Sequence, residues 1–250
     1  MAASSGPDIV DSGLVLALDA ADRNSYPGSG TTWTDLSGNG NNFTLVNPSY
    51  YSYSSSNSGS IAFTRTLPPT AEDGGYATLN TSGILTAANY LHNNHTTEVW
   101  FKSNDRNPTN YNGTENVSVI ATYTGFHNMW YYDSISYRYV IWGRTSGVNN
   151  VYELSFSDTS SGVWTQLVAV RNGTTLTLYK NGVSQTSGTI TSGTEGTPSD
   201  NRIRIATANY GGDYSWHSNL NFATLKMYTR ALTASEVSQN FNATRSRFGI

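Results

Sequence analysis

Carboxylates in β-prone segments are the residues of this chain that could cleave a polysaccharide, because glycoside hydrolysis needs two Asp or Glu side chains flanking one glycosidic bond. On a strand, the nearest residues that share a face lie two positions apart. Glu98 has Trp100 at that position. Glu72 and Asp73 are adjacent and would point to opposite faces of a strand, and Glu153 is isolated. The spacing predicts that the chain is not an enzyme, with a polysaccharide-cleaving hydrolase as the alternative, and Glu98 is interpreted as a sheet residue hydrogen-bonded to a neighbouring loop.

A second chemistry is suggested by oxygen-bearing side chains in residues 35–40. Asp, Ser and Asn alternate there before a glycine, which is how several calcium-binding loops begin. The position of the closing bidentate acid is the apolar Val46, so a further ligand would come from Asp19 or Asp22. The same residues fit a turn whose Asp and Asn side chains bond their own backbone, and we favour that turn. Calcium is thus the candidate cofactor, none is required, and the candidate ligands are Asp35, Asn39 and Asp19.

Aromatic residues interleaved with Asn, Asp and Gly suggest sugar binding, since aromatic rings pack on the apolar face of a pyranose while polar groups bind its hydroxyls. Three segments have this composition: residues 50–53, 129–133 and 209–217. The aromatic side chains of these segments are equally expected to contact a glycan, to contact another protein, or simply to pack within the fold. The candidate glycan-binding residues are Tyr210, Asp213, Tyr214, Trp216, Trp130 and Tyr131. Aromatic residues inside predicted strands are expected in the core, namely Trp100, Trp142, Trp164 and Tyr179.

The composition excludes several classes of partner. Of the 250 residues, 12% are charged, against ~25% in typical globular domains, and the net charge is -3. No basic excess is available for nucleic acid or anionic membranes, so neither is predicted as a partner. There is no Cys, and the four His residues include no i, i+4 metal-binding pair. The first residues lack the basic start and apolar stretch of a signal peptide, so none is expected.

Short β-prone runs between Gly, Asn, Ser and Pro clusters predict an all-β fold, a two-sheet antiparallel jelly-roll sandwich. Two Asn-Gly pairs, at 172–173 and 181–182, predict a three-stranded meander over residues 164–185. A capping box at Thr233 and Glu236 predicts one short C-terminal helix. The strands are predicted at residues 13–19, 42–46, 60–63, 76–79, 96–102, 117–123, 137–142, 151–156, 164–171, 174–179, 202–206 and 221–228.

The domain organisation is predicted to be simple. Residues 1–12 form a polar N-terminal arm, and residues 13–250 form a single lectin-like β-sandwich domain. Residues 52–60 and 186–199 are rich in Ser, Thr and Gly and are predicted to be exposed loops.

Several sequence blocks, in order along the chain, resemble the concanavalin A-like lectin/glucanase superfamily in its laminin-G-like branch. They are residues 13–42, the strand Thr97–Lys102, the predicted meander, and residues 223–241 with the capping box. The resemblance implies a sandwich that binds sugars and often a calcium ion.

Within that branch, residues 6–10 and 240–250 resemble stand-alone virion proteins of tailed bacteriophages. This resemblance implies a non-enzymatic virion-surface structural or adhesion protein, a capsid decoration or tail-associated component, assembled in the host cytoplasm. Its implied partners are other virion proteins and a host surface glycan, and it would form a homotrimer. A secreted carbohydrate-binding module is a further alternative.

Overall fold

The computed structural model describes residues 8–56, 58–66, 74–80, 93–104, 117–122, 128–132, 136–145, 148–190, 202–208 and 217–250. Side chains at 80, 117, 122, 128–132 and 139–151 are outside this description. The strands are β1 (Leu14–Asp19), β2 (Thr32–Trp33), β3 (Phe43–Val46), β4 (Tyr51–Ser54), β5 (Ser60–Phe63), β6 (Tyr76–Asn80), β7 (His95–Ser103), β8 (Val117–Thr122), β9 (Asn128–Tyr132), β10 (Ser136–Thr145), β11 (Val148–Ser157), β12 (Trp164–Asn172), β13 (Thr175–Lys180), β14 (Val183–Thr189), β15 (Arg202–Ile205) and β16 (Leu220–Tyr228). One α-helix, α1, spans Ala234–Thr244, and short 3-10 helices span Pro48–Tyr50 and Arg245–Phe248.

The strands form two antiparallel sheets. Sheet A has the order β14-β13-β12-β7-β16-β5-β4, and β1 also pairs with β16. Sheet B has the order β11-β10-β9-β8-β15-β6-β3-β2. This architecture confirms the predicted all-β sandwich with a C-terminal helix.

Alternation along each strand builds the core between the sheets. In β7, Val99 and Phe101 point inward and are fully buried, whereas Glu98 and Trp100 point to the outer face of sheet A. The inner faces together bury a single large apolar cluster, and each large side chain in it contributes roughly 1.5–3 kcal/mol of burial free energy. The largest members are Trp33, Phe43, Phe63, Phe101, Tyr137 and Phe222.

The predicted meander is present as β12, β13 and β14, but its first turn is shifted. Asn181 and Gly182 both have positive φ (50° and 76°), as a type I′ turn requires. In the first turn Asn172 pairs with Thr175, so the two loop residues are Gly173 and Thr174, and Gly173 alone has positive φ (60°) in this pair. One central residue with positive φ is enough for a two-residue turn, which leaves Asn172 in the strand.

The C-terminal helix lies on the outer face of sheet A, where it covers aromatic side chains. Its capping box is formed as predicted: Thr233 accepts from the Glu236 N–H, and the Glu236 carboxylate accepts from the Thr233 N–H. The Trp100 ring stacks on Phe248 at 4.1 Å and on Phe241 at 5.9 Å between centroids. Trp100 is therefore buried, but beneath the C-terminal segment and not between the sheets.

The other aromatic residues predicted in the core divide into three cases. Tyr179 is buried, but in the cluster on the outer face of sheet A. Trp164 is half-buried beside Phe248. The side chain of Trp142 lies outside the description.

Two predicted loops are partly wrong, because strands occupy their first residues. Residues 52–54 belong to β4, and residues 186–189 belong to β14. Both strands lie at the edges of sheet A, where only one neighbour is needed. A Ser- and Thr-rich sequence can therefore pair there without supplying a buried apolar face.

The described part of the predicted N-terminal arm packs against the domain. Val10 is buried against the outer face of sheet A; its N–H donates to Asn240 and its carbonyl accepts from the Tyr228 hydroxyl. Gln239 donates to the Asp8 carbonyl. Residues 8–12 thus form a strap beside α1. None of the helices within the residues given above has the length and apolar character needed to span a bilayer.

Candidate functional site

Glu98, the strand carboxylate considered for catalysis, is sealed inside the domain. It is fully buried on the outer face of sheet A, beneath α1. Its Oε1 lies 2.9 Å from Lys226 Nζ, and its Oε2 accepts from the Asn240 side chain at 2.7 Å. The partners belong to β16 and α1, so the predicted hydrogen bond to a loop is wrong. A carboxylate fixed in this way cannot reach a glycosidic bond.

The same network includes a tyrosine whose ionisation is suppressed. Burial, reinforced by the nearby Glu98 charge, raises the pKa of Tyr228 far above its usual range. Its hydroxyl accepts from Asn240 and donates to the Val10 carbonyl. Tyr228 therefore holds the strap to the helix and is not an acid or base.

The remaining carboxylates considered for catalysis offer no assembled pair in the described structure. Glu153 on β11 forms an ion pair with Arg138 on β10 at 2.9 Å. Glu72 and Asp73 lie outside the described residues.

The predicted calcium ligands are engaged with protein donors. Asp35 is buried, and its Oδ1 accepts from the N–H groups of Ala17 and Ser37, both at 2.9 Å. Its Oδ2 accepts from the Ser37 hydroxyl at 2.8 Å and from the Asn41 N–H at 3.0 Å. Asn39 joins the same turn by donating to the Ser37 hydroxyl at 3.0 Å. These contacts are those of the side-chain-stabilised turn that the sequence also fits.

The third candidate calcium ligand, Asp19, binds other groups of the protein. Both its carboxylate oxygens accept from Arg247 Nη1, at 2.7 and 2.9 Å, and Oδ1 also accepts from the Ala21 N–H. The structure therefore brings Asp35 and Asn39 together, while Asp19 ties the C-terminal 3-10 helix to the end of β1. Among the described residues, no three His, Cys, Asp or Glu side chains converge as a metal centre. Calcium binding stays a prediction.

The predicted glycan-binding residues are only partly placed. Trp130 and Tyr131 lie on β9, a strand that is absent from the predicted set, and their side chains are outside the description. Tyr210, Asp213, Tyr214 and Trp216 also lie outside the described residues.

The third aromatic segment, residues 50–53, packs against the rim of the core. Tyr51 and Tyr53 point the same way from β4, and Tyr53 meets Tyr26 edge-on at 5.5 Å. Burial, with a smaller effect from Tyr51 and Tyr53, raises the pKa of Tyr26. These contacts favour packing among the three roles considered for this segment.

A polar groove that was not predicted from the sequence opens at the rim of sheet A. It lies where β7 begins, β12 turns into β13, and β16 ends, and its volume is about 560 Å³. We call it the rim groove. Its lining residues are Asn93, Asn94, Arg171, Gly173, Thr174 and Thr229.

The tight β12–β13 turn positions the polar groups of the rim groove. Gly173 donates its N–H to Asn94 Oδ1 at 2.7 Å, and its carbonyl accepts from Arg171 Nε at 3.1 Å. Arg171 is only 7% exposed and is paired in register with His95 of β7, whose ring Nδ1 lies 3.0 Å from the Asn93 carbonyl. The walls of the groove are thus joined by hydrogen bonds.

Two sequence features could have indicated this groove. They are the Asn93-Asn94 pair before β7 and Thr174, the second loop residue of the first meander turn. Asparagine and threonine side chains with a guanidinium are groups that bind sugar hydroxyls and carboxylates. The arrangement can therefore bind a polar ligand, and no carboxylate is among its described lining residues.

A two-sheet antiparallel sandwich with a polar groove at its rim defines a lectin-like binding fold. Residues 71–238 match the Laminin_G_3 family of the concanavalin A-like lectin/glucanases superfamily. Because the match covers more than half of the chain, the protein belongs to this family. No curated protein sequence matches the chain.

Solved structures with a similar fold include binding domains of botulinum neurotoxins and of a mosquitocidal protein. The binding domain of botulinum neurotoxin DC in complex with SialylT superposes with a TM-score of 0.69 at 12% identity, over 94% of this chain and 52% of that one. The binding domain of Paraclostridial Mosquitocidal Protein 1 gives 0.65 at 16% identity, over 92% and 52%. A botulinum neurotoxin type C structure, whose cell entry depends on two ganglioside molecules, gives 0.67 at 11% identity, over 94% and 52%. The chain thus spans about half the length of these solved chains.

Proposed function

We propose that the protein is a non-enzymatic adhesion domain that binds glycans through the rim groove. One observation carries the proposal: the groove presents exposed amide and hydroxyl side chains at an open rim, whereas Glu98 is locked beneath α1. Binding groups are therefore accessible while the strand carboxylate is not.

The family and the similar solved structures support a binding role. The binding domain of botulinum neurotoxin DC has been solved in complex with SialylT and, in another structure, in complex with rat synaptotagmin II. A polysaccharide hydrolase remains the alternative, and it would need two carboxyl groups flanking one bond.

Glycan-array binding of the purified protein tests the proposal, with one variant that fills the groove and one that does not. Thr174→Trp places an indole in the groove and is expected to abolish the binding seen with the wild type. Thr44→Trp makes the same change at an exposed position of β3 in sheet B and is expected to leave binding unchanged. An array without any bound glycan, or equal binding by both variants, would overturn the proposal.

Incubation with polysaccharides separates binding from cleavage. We expect no new reducing ends in the presence of the wild-type protein. Reducing ends that accumulate with time, and that a Glu153→Gln or Asp73→Asn change abolishes, would establish the hydrolase instead.

The biological setting proposed is the surface of a tailed-bacteriophage virion, as a decoration or tail-associated homotrimer in contact with other virion proteins. The sequence resemblance described above is what supports this part. Mass spectrometry of purified particles should find the chain in a fixed, symmetric copy number, and light scattering should give three times the chain mass of 27.1 kDa. Absence of the chain from particles would refute the virion role without affecting glycan binding.

A further inference from the structure

We propose that the chain forms an isopeptide bond within itself, between Lys226 and Asn240, with Glu98 as the catalytic carboxylate. This bond is independent of glycan binding. Lys226 and Glu98 are directly paired residues of β16 and β7, and Lys226 Nζ lies 2.9 Å from Glu98 Oε1. The NH2 group of Asn240, on α1, donates to Glu98 Oε2 at 2.7 Å. One carboxylate therefore holds an amine on one oxygen and a carboxamide on the other.

The site is buried, which makes a neutral amine accessible. Glu98 and Asn240 are completely buried, and Lys226 is only 5% exposed. Val168, opposite Glu98 on β12, and Val237, on α1, belong to the apolar cluster on this face of sheet A. Separated charges are poorly solvated in such surroundings, so a proton can pass from Nζ to Oε1 along their contact. The neutral amine that results is the nucleophilic form of lysine.

The carboxamide of Asn240 is oriented and polarised for attack. Its Oδ1 accepts from the Val10 N–H at 2.8 Å, and its NH2 group also donates to the Tyr228 hydroxyl at 3.0 Å. When an amine adds to the amide carbon, negative charge develops on Oδ1, and a backbone N–H in that position stabilises it. The strap of residues 8–12 thus supplies the oxyanion donor, while Glu98 contacts the nitrogen that must leave.

The reaction balances with ammonia as the group that is lost. Lys226 Nζ, after giving one proton to Glu98, bonds to Asn240 Cγ. Glu98 then passes that proton to Asn240 Nδ2 and takes a second proton from Lys226 Nζ, the Cγ–Nδ2 bond breaks, and ammonia leaves. The products are a secondary amide and a neutral carboxylic acid, so neither ion of the original pair remains buried. Holding both reactants in place removes the entropic cost that a reaction between separate molecules would have.

Peptide mapping of the full-length protein by mass spectrometry tests the proposal directly. Trypsin cuts after Lys and Arg, so an unlinked chain gives the separate peptides 205–226, 227–230 and 231–245. An acylated Lys226 is not cut, so the linked chain gives residues 205–230 joined to residues 231–245, with a mass loss of about 17 Da from the departed ammonia. We expect the linked species as the main product. Separate peptides alone, with normal cutting after Lys226, would overturn the proposal.

Two variants distinguish catalysis from folding. Glu98→Gln keeps the size of the side chain but cannot carry a proton, and general acid–base catalysis contributes about 100-fold or more in rate. We expect this variant to fold, as judged by circular dichroism, and to give mainly the separate peptides. Lys180→Met is the matched control, because it removes a lysine that is ion-paired with a different carboxylate, Asp158. It should give the linked species as the wild type does.

The remaining outcomes each contradict one part of the proposal. Full linkage in folded Glu98→Gln would show that Glu98 is not the catalyst. Lys226 joined instead to the peptide that carries Glu98, with loss of water, would rule out Asn240 as the acyl group. If Glu98→Gln does not fold, the wild-type peptide map still decides whether the bond exists, because it needs no variant.

Discussion

Removing the Glu98 carboxylate is expected to destabilise the contact between sheet A and the C-terminal helix. In Glu98→Ala, Lys226 keeps its positive charge in a position that is only 5% exposed, 2.9 Å from where its partner was. The Asn240 side-chain NH2 group also loses one of its two acceptors and keeps the Tyr228 hydroxyl. Breaking one side of a buried ion pair costs about 3–5 kcal/mol, because the remaining charge is left without a counterion. That is a large share of the ~5–15 kcal/mol by which domains are stable.

Urea unfolding followed by tryptophan fluorescence measures this loss as a change in the free energy of unfolding. The double variant Glu98→Ala/Lys226→Met should recover most of the stability, since it removes the unpaired charge as well as the pair. Glu153→Ala is the matched control, because it breaks an ion pair in which both side chains are about a third exposed and should cost ~1 kcal/mol or less. The reasoning fails if Glu98→Ala is no more costly than Glu153→Ala, or if the double variant is less stable than the single one.

Further predictions concern the metal, the helix cap and the second meander turn. Added calcium or EDTA should leave the melting temperature unchanged, since four donors already bind the Asp35 carboxylate; a rise of several degrees with calcium would show a metal site. Hydrogen bonds from Arg230 lower the pKa of Glu236 to about 2, from 4.5 in the unfolded chain. Its contribution, ~1 kcal/mol after solvent screening, should be present above pH 4.5 and disappear toward pH 2 in the wild type but not in Glu236→Gln. Gly182→Ala should cost about 1–2 kcal/mol in urea unfolding, because φ is +76° and the new methyl group would lie 3.0 Å from the Phe241 ring; an unchanged midpoint would contradict this.

The features predicted correctly from the sequence are those set by neighbouring residues. The Thr233 capping box and the Asn181-Gly182 turn each depend on backbone needs within four residues, so their sequence signature is complete. The strand Ser60–Phe63 also has the predicted bounds.

Features that depend on distant segments could not be predicted in this way. Periodicity places Glu98 and Trp100 on one face of β7, but it does not say that α1 will cover that face. The rim groove joins residues 93–94, 171–174 and 229, which only the order of strands in sheet A brings together. The edge strand β14 was predicted in part as a loop because its pairing partner, and not its own composition, makes it a strand.

The strap of residues 8–12 and the C-terminal segment lie on the same side of the sandwich. Asp8 and Val10 are fastened to α1, and Phe248 rests on Trp100 of sheet A. Any body linked to the chain through either of these segments would therefore hold the domain from the sheet A side. The outward surface of sheet B would then face away from the point of attachment, toward whatever the carrier approaches.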